Sequence, residues 1–157
     1  MIGRRDRKVT ATVLTSPQHT PDDENEKIRI YNNRGETRAS PLDKKVRIYV
    51  RARMYPGLSI SRSLGDILAH HIGVTSEPDI KVQEITPNDK FLAIGSDGIW
   101  DNLGHDEVIE IINNYGMRDP GTSTEFICSK VRDICTSDNS ILDDQTIIAS
   151  YLNSNVF

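Results

Sequence analysis

The chain has 157 residues, 36 % of them apolar and 27 % charged, with a formal net charge of −4. That is enough chain and enough apolar side chain for one soluble domain with a real core, and its acids and bases are too evenly mixed for a nucleic-acid surface. No apolar run approaches the roughly 20 residues that span a bilayer, and Met1-Ile2-Gly3-Arg4-Arg5 lacks the apolar stretch of a signal peptide.

Arg4, Arg5, Arg7 and Lys8 form a basic cluster that reads as a solvated terminal strand or arm rather than a nucleic-acid contact. Val9 to Leu14 alternates polar and apolar residues, the period of a strand. Thr20-Pro21-Asp22-Asp23-Glu24 predicts a helix start, with Thr20 as N-cap, Pro21 at the first helical position and acids in the first turn. The helix should pass Ile28 and Tyr31 and stop at Gly35. Val46 to Val50 is a second strand. Pro56-Gly57 then breaks the chain, and Ile67 to Pro78 reads as a loop with some helical turn. Ile80–Ile85 and Phe91–Gly95, flanking Pro87-Asn88-Asp89, predict a β-hairpin.

Val108, Ile111, Ile112 and Tyr115 keep helical spacing up to Gly116. Ile127, Val131, Ile134 and Cys135 repeat it after a start near Thr122. Cys128 and Cys135 lie on one side of that helix, where they pack as small apolar groups; a disulfide or zinc role is not expected. Two unpaired cysteines point to a reducing, intracellular compartment, cytoplasmic or nuclear. Thr146 to Leu152 is a terminal strand. Hairpin strands with helices grouped between them predict an α+β fold with a largely antiparallel sheet, and no linker divides residues 1–157 into separate domains.

Three segments could carry chemistry. In Gly95-Ser96-Asp97-Gly98-Ile99-Trp100-Asp101 a buried strand ends at an acid followed by glycine. Gly98 allows a sharp turn and close backbone approach, so Asp97 either projects from the strand end as a ligand or caps a turn. Asp101 comes within reach of the same centre if the chain turns there. In Leu142-Asp143-Asp144-Gln145-Thr146 the adjacent carboxylates are either an exposed loop pair or are neutralised by a cation. Strand-edge acids from separate segments suit a hard cation such as Mg²⁺ or Mn²⁺. In Ser61-Arg62-Ser63-Leu64-Gly65-Asp66, Asp66 either supports such a site or caps a helix, and Arg62 either meets phosphate or makes a structural salt bridge. His70 and His71 are adjacent and point differently, and His19 and His105 stand alone, so solvent-exposed or capping roles are expected.

In this order and spacing, these segments resemble the C-terminal part of a metal-dependent protein phosphatase of the PPM (type 2C) family. Leu14-Thr15 to Pro21 is similar to the family's Leu-Thr-x-Asp-His-x-Pro segment, with His19 and Pro21 matching and Pro17 replacing a more usual residue. Glu26 through Gly35 is similar to its Glu-x-x-Arg-Ile helix. Pro56-Gly57-Leu58 through Asp66 is similar to its Gly-Leu-x-x-Ser-Arg-x-x-Gly-Asp signature, and Glu77-Pro78-Asp79-Ile80 to the segment after its flap loop.

The resemblance implies stacked antiparallel sheets flanked by helices, with two or more Mn²⁺ or Mg²⁺ ions between them. It implies that Asp97 and Asp143 are metal ligands, that Asp101 with Asp97 helps form a further, weaker site, and that Asp66 has at most a supporting role. Asp144 stands where many members have Asn. The implied activity is hydrolysis of phosphoserine and phosphothreonine in proteins by a metal-activated water. The family's Asp-Gly-His-Gly-Gly motif does not occur in the sequence, nor does the Gly-Asp-Ser-Arg strand. The expectation is therefore an incomplete catalytic domain, its N-terminal half absent. Such a piece should self-associate through an exposed sheet face unless something covers it. The competing reading is a non-catalytic, phosphatase-derived binding module; a plain α+β domain whose acids are caps and turns is the third.

Overall fold

A computed structural model describes residues 2–6, 8–15, 19–115 and 119–152. Pro17 and Gly116 lie outside the described residues, as do the side chains of the N-terminal basic cluster. The chain forms two compact units, one of Met1–Thr15 with Val82–Phe157 and the other of Ser16–Lys81.

The first unit is a sheet with helices on one face. Its strands are β1 (Ile2–Asp6), β2 (Lys8–Thr12), β6 (Asp89–Gly95) and β7 (Ile147–Tyr151), in the order β2-β1-β6-β7 and antiparallel throughout. Side-chain alternation along β6 sends Phe91 and Ala93 inward. There they meet Val108, Ile109 and Ile112 of α4 (His105–Tyr115) and Ile127, Val131 and Cys135 of α5 (Pro120–Ser137). Both cysteines are free, and both pack with this core as expected. Ile94 and Ile148 are opposed in the ladder and both 57 % exposed, so the other face of the sheet is apolar and open there.

The second unit holds α1 (Glu24–Asn32), the three-stranded antiparallel sheet β3 (Gly35–Ala39), β4 (Val46–Val50) and β5 (Pro56–Leu58), and the short α2 (Ile67–His70). Its core is smaller: Ile30, Ile48, Ala69, Ile72 and Val74. The α+β class with antiparallel sheets is thus as expected.

Three local expectations are corrected. No hairpin joins Ile80–Ile85 to β6. Both edges of β6 are taken, by β1 and β7, and Ile80 and Val82 are 84 % and 92 % exposed, so among the described residues the alternating run has no strand partner and no core to face. Helix α1 is capped by Asp23, not Thr20, because the Asp23 carboxylate accepts from the backbone N–H groups of both Asn25 and Glu26, at 2.9 and 3.1 Å. Gly35 opens β3 instead of ending α1; the chain leaves the helix through Arg34, whose φ is 66°.

Candidate metal-binding site

The segment after β6 turns at once into a one-turn helix, α3 (Asp97–Trp100), whose N-cap position is Ser96. The Ser96 hydroxyl does not cap that helix. It donates to the Asp144 carbonyl (3.0 Å) and accepts from the Thr146 N–H (3.1 Å), while the Ser96 N–H donates to the Thr146 carbonyl (2.9 Å). One serine therefore clasps the end of β6 to the segment that leads into β7.

Gly98 completes the clasp. A Cβ there would overlap the Asp144 carbonyl oxygen and lie 3.1 Å and 3.5 Å from the carbonyl carbons of Asp144 and Asp143. The role of Gly98 is close approach, as the sequence suggested. Ile99 and Leu103 anchor the turn in the core, and the Trp100 indole N–H donates to the Gly95 carbonyl at 2.7 Å.

This arrangement brings the Asp97 turn and the Asp143–Asp144 loop together. Both carboxylates are exposed, and each is oriented by its own turn: Asp97 Oδ1 accepts from the Gly98 N–H (3.0 Å) and Asp143 Oδ1 from the Asp144 N–H (2.8 Å). Asp101 follows α3 directly; its N–H donates to the Asp97 carbonyl at 2.8 Å, so it stands one helical turn from Asp97. Gln145, next to Asp144, keeps both side-chain amide atoms buried without a hydrogen-bond partner among the described residues.

The donor set is all oxygen, which suits a hard divalent cation that keeps much of its water. Among the described residues no three His, Cys, Asp or Glu side chains converge into a metal-holding group. The donors fit such a cation in chemistry, and in number they supply part of its shell.

Asp66 belongs to the other unit. It precedes α2 with φ 40°, and its backbone carbonyl, not its carboxylate, accepts from the Ala69 N–H at 2.7 Å. His70 and His71 point apart: His70 Nε2 bonds the Ser63 carbonyl oxygen at 3.0 Å, and His71 is exposed.

The strongest electrostatics of the second unit lie at a residue whose charge the sequence reading passed over. Glu26 is only 4 % exposed at its side chain, with Arg29 at 2.7 Å, Arg62 at 2.7 Å and the Ser61 hydroxyl around it. Burial opposes its charge, but hydrogen bonds from Arg29, Arg62 and Ser61 outweigh it and hold Glu26 well below the usual carboxylate range. Arg62 also reaches Asp79 and the Glu77 carbonyl, both at 3.0 Å, and His19 contacts Asp79 at 2.9 Å. Hydrogen bonds from His19 and then Arg62 lower Asp79. Of the two roles open to Arg62, the geometry is that of the structural salt bridge. A Glu-x-x-Arg pair on one helix face was the signal for this cluster.

The family model for Protein phosphatase 2C matches residues 1–142. Probable protein phosphatase 2C 72 of Arabidopsis thaliana is 35 % identical over 114 residues, which cover 72 % of this chain and 34 % of that protein. Probable protein phosphatase 2C 14 of Oryza sativa subsp. japonica is 33 % identical over 121 residues, covering 75 % and 23 %. This chain thus spans about a third or less of the length of these relatives. The fold is shared with the crystal structure of serine-threonine phosphatase 2C from Toxoplasma gondii, at a TM-score of 0.85 and 22 % identity over 97 % of this chain and 51 % of that one. A C. elegans sex determining protein superposes at a TM-score of 0.69, again at 22 % identity, over 88 % and 32 % of the two chains. The chain belongs to the protein phosphatase 2C family.

Proposed function

We propose that this chain contributes part of the metal site of a protein serine/threonine phosphatase, with Asp97 and Asp143 as ligands of Mn²⁺ or Mg²⁺ and Asp101 as a neighbouring donor. The observation that carries this reading is the clasp: Ser96 and Gly98 hold two acidic turns together without neutralising either carboxylate. Each carboxylate spends one oxygen on its own backbone turn, which leaves the other to face a cation. A divalent cation bound there supplies charge neutralisation of phosphoryl oxygens and a water of lowered pKa.

The chain's own residues do the positioning. Ser96 fixes the relation of the two turns, Gly98 lets the backbones touch, and the buried Ile99 stops the Asp97 turn from rotating away. The substrates are phosphorylated proteins, and the free cysteines support a cytoplasmic or nuclear setting. The open apolar face around Ile94 and Ile148 supports self-association of the isolated chain.

Titration of the chain with Mn²⁺, followed by electron paramagnetic resonance, tests the site, and hydrolysis of a phosphothreonine peptide tests the activity. Asp97→Asn and Asp143→Asn should each weaken Mn²⁺ binding about tenfold or more. Unchanged Mn²⁺ binding in both variants, or hydrolysis that survives Asp97→Asn, would overturn the reading.

A further inference from the structure

The chain as a whole mixes acids and bases, but one stretch departs from that mixture. Between Arg34 and Arg53 there are seven cations and two acids, a net charge of +5 in a chain whose total is −4, so the remaining residues carry −9. These twenty residues are essentially the β3–β4 hairpin and the turn that leads to β5.

The hairpin sorts its residues by face. Ile48 is buried in the core of its unit and Val50 packs against it. On the other face Arg38 stands directly opposite Arg47 in the ladder. Like charges so placed repel, and each is partly answered locally: Arg38 pairs with Glu36 and lies 4.2 Å over the Tyr49 ring, and Arg47 pairs with Asp43 at 2.6 Å. In the turns that bracket this face, Arg34, Lys44, Arg51 and Arg53 have no such answer among the described residues. Arg51 and Arg53 flank Ala52, which takes φ 60° in a tight turn closed by the Arg53 N–H to the Val50 carbonyl at 2.9 Å. Their side chains and those of Arg34 and Lys44 are exposed.

We infer that the outer face of the β3–β4–β5 sheet and its turns form a docking surface for an acidic segment of a partner protein, rich in carboxylates or phosphorylated side chains. Charge complementarity points to an anion, and five of the seven cations are arginines, whose planar forks match carboxylate and phosphate groups in pairs. The free edge of the sheet favours a polypeptide over a nucleic acid. β3 is the edge of its sheet among the described residues, and only another peptide backbone can extend such a ladder. The inference concerns binding and does not depend on the phosphatase reading.

Fluorescence anisotropy of a labelled glutamate–serine peptide, and of its phosphoserine form, tests it on the full chain. The double variant Arg51→Glu, Arg53→Glu should weaken peptide binding about tenfold or more. The charge-matched double variant Lys81→Glu, Arg132→Glu should change it far less. A second pair, Arg51→Gln with Arg53→Gln, should give a smaller loss in the same direction and guards against a folding defect. Absence of peptide binding to the unaltered chain, or equal losses in the two glutamate variants, would overturn the inference. So would preferential binding of single-stranded RNA or of phosphatidylserine vesicles, lost with Arg51→Glu, Arg53→Glu while peptide binding is not.

Discussion

Each unit of this chain gathers acids, and the two treat them in opposite ways. In the second unit Glu26 is buried, and two guanidinium groups and a hydroxyl use up its oxygens. In the first unit Asp97 and Asp143 stand exposed on adjoining turns, each accepting from the backbone N–H of the next residue, Gly98 and Asp144. A buried carboxylate with every oxygen bonded can hold a fold together but has nothing left for a ligand. An exposed pair on clasped turns contributes little to stability and keeps oxygen atoms for a cation. The contrast separates structural acids from candidate functional ones on geometry alone.

The largest expected effect attacks the buried acid. Glu26→Gln should cost about 3 kcal/mol, at the low end for a broken buried ion pair because both arginines keep some contact with water. Hydrogen exchange at the Ile30 amide, compared with Val108 in the other unit, measures it; a loss confined to Val108 would reverse the assignment.

Acid should expose the same residue. Because the folded form of Glu26 titrates below its ordinary 4.5, its contribution is present above that pH and is lost as the pH falls beneath it. A urea-unfolding series across that range should show a steeper decline for the unaltered chain than for Glu26→Gln. Parallel curves would mean that Glu26 is not the group responsible.

Gly98→Ala tests the clasp. The added methyl meets the backbone of Asp144, which cannot swing away as a side chain can, so a cost of about 1–3 kcal/mol is expected. Urea unfolding followed by the fluorescence of Trp100 reports it, and Mn²⁺ binding should weaken in parallel. Full stability in this variant would mean that the two turns are not held in contact.

The smallest stability effect belongs to Asp97→Asn. An exposed acid with one local hydrogen bond should change unfolding by no more than about 0.5 kcal/mol, while Mn²⁺ affinity falls. A thermal melt that showed a large destabilisation would move Asp97 into the same class as Glu26 and dissolve the contrast.

Much of this molecule was legible in its sequence. The 3.6-residue spacing through Val108–Tyr115 and Ile127–Cys135 required two amphipathic helices, and the apolar run Phe91–Gly95 pointed to a buried strand; all three elements formed, with Ile94 left 57 % exposed. Ser96-Asp97-Gly98 and Asp143-Asp144 marked two acidic segments, each readable from the sequence either as cation ligands or as a turn cap and an exposed loop pair. Tertiary structure decided what local pattern could not. Ile80–Ile85 alternates as well as any strand, yet β1 and β7 occupy both edges of β6, and hydrogen-bonding edges are allotted by the whole sheet. Ser96 has the chemistry of a helix cap, yet its hydroxyl reaches residues 144 and 146. Glu26 has the sequence of a surface helix acid and becomes the buried centre of a charge cluster only because residues 61 and 62 return to it. Periodicity and turn chemistry act over a few residues and are written in the chain. Partnership across thirty or more residues depends on which surfaces meet, and only the folded chain fixes that.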